Sequence, residues 1–290
     1  MKIDECKDLM QSTLFRVFSS GSEWMRFLTV AARFYKYPFT DQLLIYAQQP
    51  NASACADLHI WQDIMRRQIR CGAKGIALIA DEEISLRYVY DVSETQPTER
   101  SRPVRIWQLN KRHIDAVVKM LRVQYGTTAD RGIREQLLQA AEAATRKTRS
   151  VDYSQSSLFD IGRKIGYDDN EEIFFSRAVS ASVGYILLGR CAMQPRAIFS
   201  AELFSEILRF GAPEKAYLLG TAVSTISEEI LRQVEGTVKA LERSAAYGKD
   251  DIRRTGWYLS ERRGLLGAES RSPEAPEADR EVRPDESTVP

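Results

Sequence analysis

Two histidines, His59 and His113, and four cysteines, Cys6, Cys55, Cys71 and Cys191, are the side chains here best suited to metal ligation or nucleophilic attack. Their spacing supports neither. The histidines lie in different segments, so an H-E-x-x-H zinc site cannot be assembled. No two cysteines make a C-x-x-C pair, so neither a zinc knuckle nor a disulfide framework is encoded, and reduced thiols are expected. The nearest approach to a phosphate-binding loop, Gly72-Ala73-Lys74-Gly75, lacks the length and the hydroxyl that such a loop needs, and reads as a turn into a strand. Neither a G-x-G-x-x-G fingerprint nor a G-x-S-x-G elbow occurs. The carboxylate pairs Asp168-Asp169 and Glu171-Glu172 read as a solvated helix start, favoured by the helix dipole, rather than as acid and base partners. The expectation is a protein that is not an enzyme and has no metal or cofactor.

Recognition is the chemistry that remains. Arg33-Phe34-Tyr35-Lys36-Tyr37 interleaves rings with cations, and so does Trp61 followed by Arg66-Arg67-Gln68-Ile69-Arg70 and Lys74. Such mixtures suit single-stranded nucleic acid: bases stack on Tyr or Trp for about 1 to 3 kcal/mol each, while Arg and Lys follow the phosphates and release counterions. The same residues also have a plain structural reading. Trp24, Phe27 and Phe34 are expected in the core, Trp61 fits either a core or a stacking platform, and Arg66-Arg67 fits a solvated helix face. Tyr35, Lys36, Arg70 and Lys74 flank turns, where a surface loop can meet a ligand.

The elements that would position these groups follow from periodicity. Ser20-Gly21-Ser22-Glu23 is a capping-box pattern, and it opens an amphipathic helix whose Trp24, Phe27, Leu28, Ala31 and Phe34 share one face. Pro38 ends it. A second helix is expected from Thr40 to before Pro50, and a third from Leu58 to about Met65. After Gly75 the period changes to that of strands: Ile76 to Ala80, then Leu86 to Val92, joined by the short Asp81-Glu82-Glu83 connection of an antiparallel hairpin. Beyond Asn110 helical stripes follow one another: Ile114 to Leu121, Ile133 to Ala141, Glu171 to Arg190, Ala201 to Phe210 and Tyr217 to Leu241, with breaks at Met193-Gln194-Pro195 and Gly211-Ala212-Pro213. From Pro273 the sequence is polar and charged, with too little apolar surface to offset its ordering entropy.

The fold class expected is therefore an α+β domain over 1–109, with helices on a small antiparallel sheet, followed by an all-α helical domain over 110–247. A basic linker and a disordered acidic tail are expected over 248–290. The linker's Arg253-Arg254 to Arg262-Arg263 run, with Trp257 and Tyr258 between, reads as a transiently ordered helix or a second DNA contact. A hydrophobic share of 43% and a charged share of 28% put the chain among ordinary globular proteins. No uninterrupted apolar run reaches the roughly 18 residues that would span a bilayer, and the charged start, Met1-Lys2-Ile3-Asp4-Glu5, lacks a secretory pattern, so a cytoplasmic protein without a membrane is expected. A net charge of +1 excludes a uniformly basic binder and confines any nucleic-acid surface to a local patch.

The order of residues also carries a resemblance. Phe15-Arg16-Val17-Phe18-Ser19-Ser20-Gly21-Ser22-Glu23-Trp24, Phe34-Tyr35-Lys36-Tyr37-Pro38-Phe39-Thr40-Asp41-Gln42-Leu43-Leu44-Ile45-Tyr46-Ala47-Gln48, Ile60-Trp61, Gly72-Ala73-Lys74-Gly75-Ile76 and Tyr88-Val89-Tyr90-Asp91-Val92 are similar to the N-terminal region of the large helicase and DNA-methyltransferase proteins of conjugative transposons. More distantly they resemble the N-terminal, single-stranded-DNA-binding domain of ArdC-type antirestriction proteins. The helical stretch Ala181 to Cys191 is similar in layout to the region that follows in the transposon proteins.

The resemblance implies a mobile-element protein that binds single-stranded DNA, with an antirestriction-like role and a surface near Gln42, Gln48, Trp61, Arg70 and Lys74. Together with the aromatic and basic stretches, this gives the candidate nucleic-acid contacts Arg33, Tyr35, Lys36, Tyr37, Gln42, Gln48, Trp61, Arg66, Arg67, Arg70 and Lys74. A stand-alone protein, a truncated copy and an N-terminal fragment are all compatible with it, and the oligomeric state is open. The competing expectation is a module that docks a mobile-element helicase or methyltransferase, or a host restriction factor, through the stripe at Ile226, Ile230 and Val234.

Overall fold

The computed structural model describes residues 1–80, 85–128, 131–150 and 169–268. Helix α1 (Ile3–Val17) turns Cys6, Leu14 and Val17 inward, and α2 (Gly21–Ala31) follows after a short turn. The Ser20 hydroxyl accepts the Glu23 amide at 3.2 Å, so half of the expected capping box is made. The Glu23 carboxylate does not reach back. It pairs with Arg26 and receives the Tyr46 hydroxyl. Helix α2 is shorter than its pattern, ending at Ala31, and Phe34 packs inward from the turns beyond it. Helix α3 runs Phe39–Gln48 with Pro38, not Thr40, at its N-cap.

The strands are β1 (Cys55–Asp57), β2 (Arg67–Ile69), β3 (Ile76–Ile79), β4 (Leu86–Asp91) and β5 (Thr95–Pro97). The expected hairpin forms: Ile76 pairs with Val89 and Ile79 with Leu86, antiparallel. β1 adds to the other edge of β4, giving the order β1-β4-β3, while β2 and β5 pair separately as a two-stranded ribbon. The third expected helix is a single five-residue π-helical turn, Ile60–Ile64, that carries Trp61 inward.

The helical part comprises α4 (Ile114–Tyr125), closed by Gly126 in the left-handed region at φ 66°, α5 (Ile133–Ser150), α6 (Asp169–Arg190) and α7 (Pro213–Ala268). The Ala201 to Phe210 stripe instead ends in a 3-10 segment, Ser205–Phe210. Thus a small antiparallel sheet with helices is followed by a helical portion. Residues Met1–Leu241 form one compact unit, in which both portions share a single core, and Glu242–Pro290 form a second. The latter contains the helical backbone to Ala268. The polar tail from Pro273 lies outside the described residues.

Helix α6 is the centre of the first unit's packing. Over Asn170–Arg190 it is long and apolar enough to cross a membrane by length and composition, a property that counting uninterrupted apolar residues misses. Its apolar surface is used internally: Phe175, Val179, Val183 and Tyr185 to Leu188 are all buried. Trp24 of α2 donates its indole N–H to the Ser182 hydroxyl at 2.8 Å, and Thr29 shares a 3.0 Å hydrogen bond with the Tyr185 hydroxyl. Buried polar atoms need such partners, and these two fix the register of α2 on α6. Of the carboxylates expected at a solvated start of α6, Glu171 pairs with Lys215 at 2.8 Å and Glu172 is buried, while Asp168 lies outside the described residues.

Helix α7 closes the other side. Ile226, Ile230 and Val234, expected as a docking stripe, are buried in the core, because an apolar face at helical spacing is satisfied first by the chain's own core. At Gly220 the helix meets Phe39 so closely that a Cβ would lie 2.3 Å from the ring. Gly220→Ala is therefore expected to destabilise the fold by about 1 to 3 kcal/mol through overpacking, with Phe39→Leu restoring part of the loss. Urea unfolding of the two single variants and the double variant measures this; additive losses would contradict the contact.

Candidate nucleic-acid interface

The structure divides the sequence-predicted residues into two groups. The aromatic and amide residues are structural. Tyr35 is 3% exposed, and its hydroxyl donates to Glu235 Oε2 at 2.6 Å while accepting the Trp107 indole N–H at 3.0 Å. Burial, followed by the bond to Glu235, raises its pKa well above the ordinary phenol value. Trp61 is also 3% exposed, with its indole N–H on the Tyr90 carbonyl at 2.8 Å. A ring so enclosed offers no face to a base, which corrects the stacking role expected for both. Large rings with one polar tip go inside whenever that tip finds a partner.

Tyr37 is half-buried and donates to the Cys55 carbonyl at 2.8 Å. Gln42, 1% exposed, donates its amide to the Phe34 and Tyr37 carbonyls and so pins the α2–α3 turn. Gln48 serves the sheet: its amide N–H donates to the Ala77 carbonyl at 2.8 Å, and its Oε1 accepts the Ala77 N–H at 3.0 Å. Both backbone groups of Ala77, on the edge of β3 that no strand pairs, are thereby satisfied as a further strand would satisfy them. Neither glutamine is presented to a ligand.

Lys36 and Arg33 have local partners. Lys36 Nζ lies 2.6 Å from Glu235, which also holds Lys239 at 2.6 Å. Burial alone would raise the Glu235 carboxyl, but bonds from Lys239, Lys36 and Tyr35 outweigh it and bring the pKa from 4.5 down to about 2. Arg33 donates to the Pro50 carbonyl.

Arg66, Arg67, Arg70 and Lys74 are brought together by the β2–β5 ribbon and the turn that follows β2. In register, Arg67 faces Pro97, Gln68 faces Gln96 and Ile69 faces Thr95. Arg67 Nε donates to the Thr95 hydroxyl at 2.7 Å and Arg70 Nε to the Thr95 carbonyl at 3.3 Å, so both guanidinium stems lie across β5. Arg66 takes the left-handed region at φ 55°, and its carbonyl accepts the hydroxyls of Thr98 and Ser101 at 2.8 and 2.6 Å. The Arg102 N–H then donates to the Met65 carbonyl at 2.9 Å.

These bonds lay the chain after β5 against the start of β2, adding Arg100 and Arg102 to the basic group. Both were missed from the sequence, since their relation to Arg66 depends on pairing across some 30 residues. Arg66, Arg70, Lys74, Arg100 and Arg102 are exposed, Arg67 is half-buried, and none has a described carboxylate at ion-pair distance.

The three-stranded sheet adds an exposed ring of its own. Along β4, Val89 and Asp91 point inward, so Tyr88 and Tyr90 share the outer face. The Tyr90 ring lies against Gly75, where a Cβ would be 3.0 Å from Cε1, and Tyr88 is 39% exposed. Tyr88 is thus an open ring on that face, opposite Ala77 in the sheet register, two residues along β4 from the ring that meets the turn carrying Lys74. Asp91 anchors the assembly. Burial would raise its carboxyl, yet the Ser93 hydroxyl and the Ala54, Ser93 and Ser53 amides donate to it and lower it below the usual range. Its bonds join the Ser53–Ala54 loop to the turn that leads β4 into β5.

Comparison of the chain with protein-family models, with curated proteins and with solved structures gave no match in any of the three. The site is therefore read from its own geometry.

The cluster around Glu235 gives a pH test. Its lowered pKa means that the carboxylate's stabilisation is complete above about pH 4.5 and is lost as pH falls through about 2. Glu235→Gln is expected to lower stability by about 1 to 3 kcal/mol at neutral pH, since the lysines are partly exposed and screened. The gap to the parent protein should narrow as the pH falls from 4.5 toward 2. Urea titrations at several pH values measure it, and a constant gap would show that Glu235 carries no such linkage.

Proposed function

We propose that this chain is a non-enzymatic DNA-binding protein that takes single-stranded DNA on the arginine ribbon. The observation that supports it best is the gathering of Arg66, Arg67, Arg70, Arg100 and Arg102 on β2, β5 and the segment pinned to them, without described carboxylate partners, in a chain whose net charge is only +1. Cations so placed follow phosphates and release counterions. Tyr88 supplies a ring on which an unstacked base can lie, which favours a single strand over a closed duplex. The resemblance to conjugative-transposon and ArdC-type proteins supports the same reading and suggests its setting: protection or presentation of transferred DNA in the cytoplasm, with an antirestriction effect.

Fluorescence anisotropy with a labelled oligothymidylate tests this. The logarithm of the affinity is expected to fall linearly with the logarithm of salt, and Arg70→Gln and Arg102→Gln should each reduce the slope by about 0.7. Tyr88→Ala should weaken binding by about 1 to 3 kcal/mol with the slope kept. Absence of binding at low salt, or an affinity indifferent to salt, would remove the ribbon from consideration.

A further inference from the structure

A cavity of about 800 Å³ opens between α2, the loop at Ser53, the irregular segment at Ile106 and the turn that follows α6. Three arginines line it, Arg33, Arg190 and Arg196, and among the described residues no carboxylate does. Its remaining wall is largely apolar, formed by Ala32, Ile106, Tyr185 and Pro195. Pockets of this size, apolar with a few convergent polar groups, are the usual form of a small-molecule site.

Two of the three arginines are held in place. Arg190 lies over the Trp107 ring, 3.7 Å from its centroid, and 5.8 Å from that of Tyr35, and it donates to the Trp107 carbonyl at 2.9 Å. Arg33 donates to the Pro50 carbonyl. Burial lowers the pKa of both; Arg190 is half-buried and so partly stripped of water, while Arg33 stays exposed at the mouth. The carboxylates that act on them from a distance, Asp91 and Glu235, are already engaged: Asp91 by Ser53, Ala54 and Ser93, Glu235 by Tyr35, Lys36 and Lys239. A partly dehydrated cation without a carboxylate of its own gains from an incoming anion.

The backbone points the same way. Ala192 and Gln194, in the turn that carries Pro195 and Arg196 to the cavity, both take left-handed conformations, φ 58° and 48°, that non-glycine residues avoid. Such strain persists where the surroundings enforce it and gathers at ligand-binding segments.

We propose that this cavity binds a small organic anion, a phosphate or carboxylate head against Arg33, Arg190 and Arg196 with an apolar or aromatic body against Ala32, Tyr185 and Pro195. The ribbon is not part of this site. Two sources supply that chemistry, a free metabolite and the 5′-phosphorylated terminal nucleotide of a DNA strand.

Isothermal titration of the full chain with naphthyl phosphate, naphthol and inorganic phosphate tests the proposal. Naphthyl phosphate is expected to bind at least about tenfold more tightly than either half, because head and body are then recognised together. Arg196→Gln and Arg33→Gln should each weaken it by about tenfold, as loss of one charge-assisted contact does. Arg70→Gln and Arg102→Gln on the ribbon should leave it unchanged, so failure here and failure of the ribbon are read separately. No binding of naphthyl phosphate, equal binding of all three probes, or indifference to both cavity variants overturns the proposal. A preference for 5′-phosphorylated over 5′-hydroxyl oligothymidylate that Arg196→Gln abolishes identifies the strand end as the source; equal affinity identifies a free small molecule.

Discussion

A carboxylate withdrawn from water must be met by donors, and Glu235 meets that requirement with groups from three parts of the first unit. Tyr35 and Lys36 come from the turns between α2 and α3, Lys239 from one turn further along α7, and Trp107 joins through the Tyr35 hydroxyl. Removing one partner would leave the charge or the phenol buried and unsatisfied, so these elements are held together more tightly than apolar contact alone would hold them. Arg190 extends the cluster to the end of α6, since it lies on Trp107 and bonds its carbonyl. The lysines stay partly exposed, which limits the cost of burying the carboxylate.

Asp91 plays the corresponding part at the sheet. It sits at the end of β4 with its carboxylate turned back onto the Ser53–Ala54 loop and forward onto Ser93. The turn at Val92–Glu94 is therefore set, and β5 leaves it in the one direction that lets Thr95 pair with Ile69. The basic ribbon is positioned by this acid. A sequence reading that sees only the Tyr-Asp-Val order finds the strand but not the reason for its aspartate.

Much of the fold was legible because it rests on strong periodicity. The stripes of α2, α4 and α5 and the β3–β4 hairpin each repeat a helical or strand period over several residues, and the structure forms them. What was not legible has identifiable causes. β2 and β5 are three residues long and polar, with no alternation to detect, and their pairing is fixed by Asp91 and the Thr98 and Ser101 hydroxyls rather than by apolar pattern. In Arg33-Phe34-Tyr35-Lys36-Tyr37, interleaved rings and cations arise equally from a stacking surface and from a tight turn that sends rings inward and cations outward. The structure has the second. Of the candidate contacts, the cations Arg66, Arg70 and Lys74 remain on the surface because a charged group without a buried partner stays in water, while Trp61, Tyr35 and Gln42 had partners to find.

The segment from Thr98 to Trp107 bears on both the ribbon and the cavity, although it has almost no regular structure. Its early part is fastened to β2 through the Arg102 N–H on the Met65 carbonyl, and its end is fastened by Trp107 to Tyr35 and Arg190. Five residue steps, Arg102 to Trp107, separate these two anchors, and an extended chain advances at most about 3.6 Å per residue, so they lie no more than about 18 Å apart. Arg105 and Ile106 fall between them, and Ile106 lines the cavity. The cations of the ribbon and the arginines of the cavity are thus joined by one short, doubly pinned stretch of backbone.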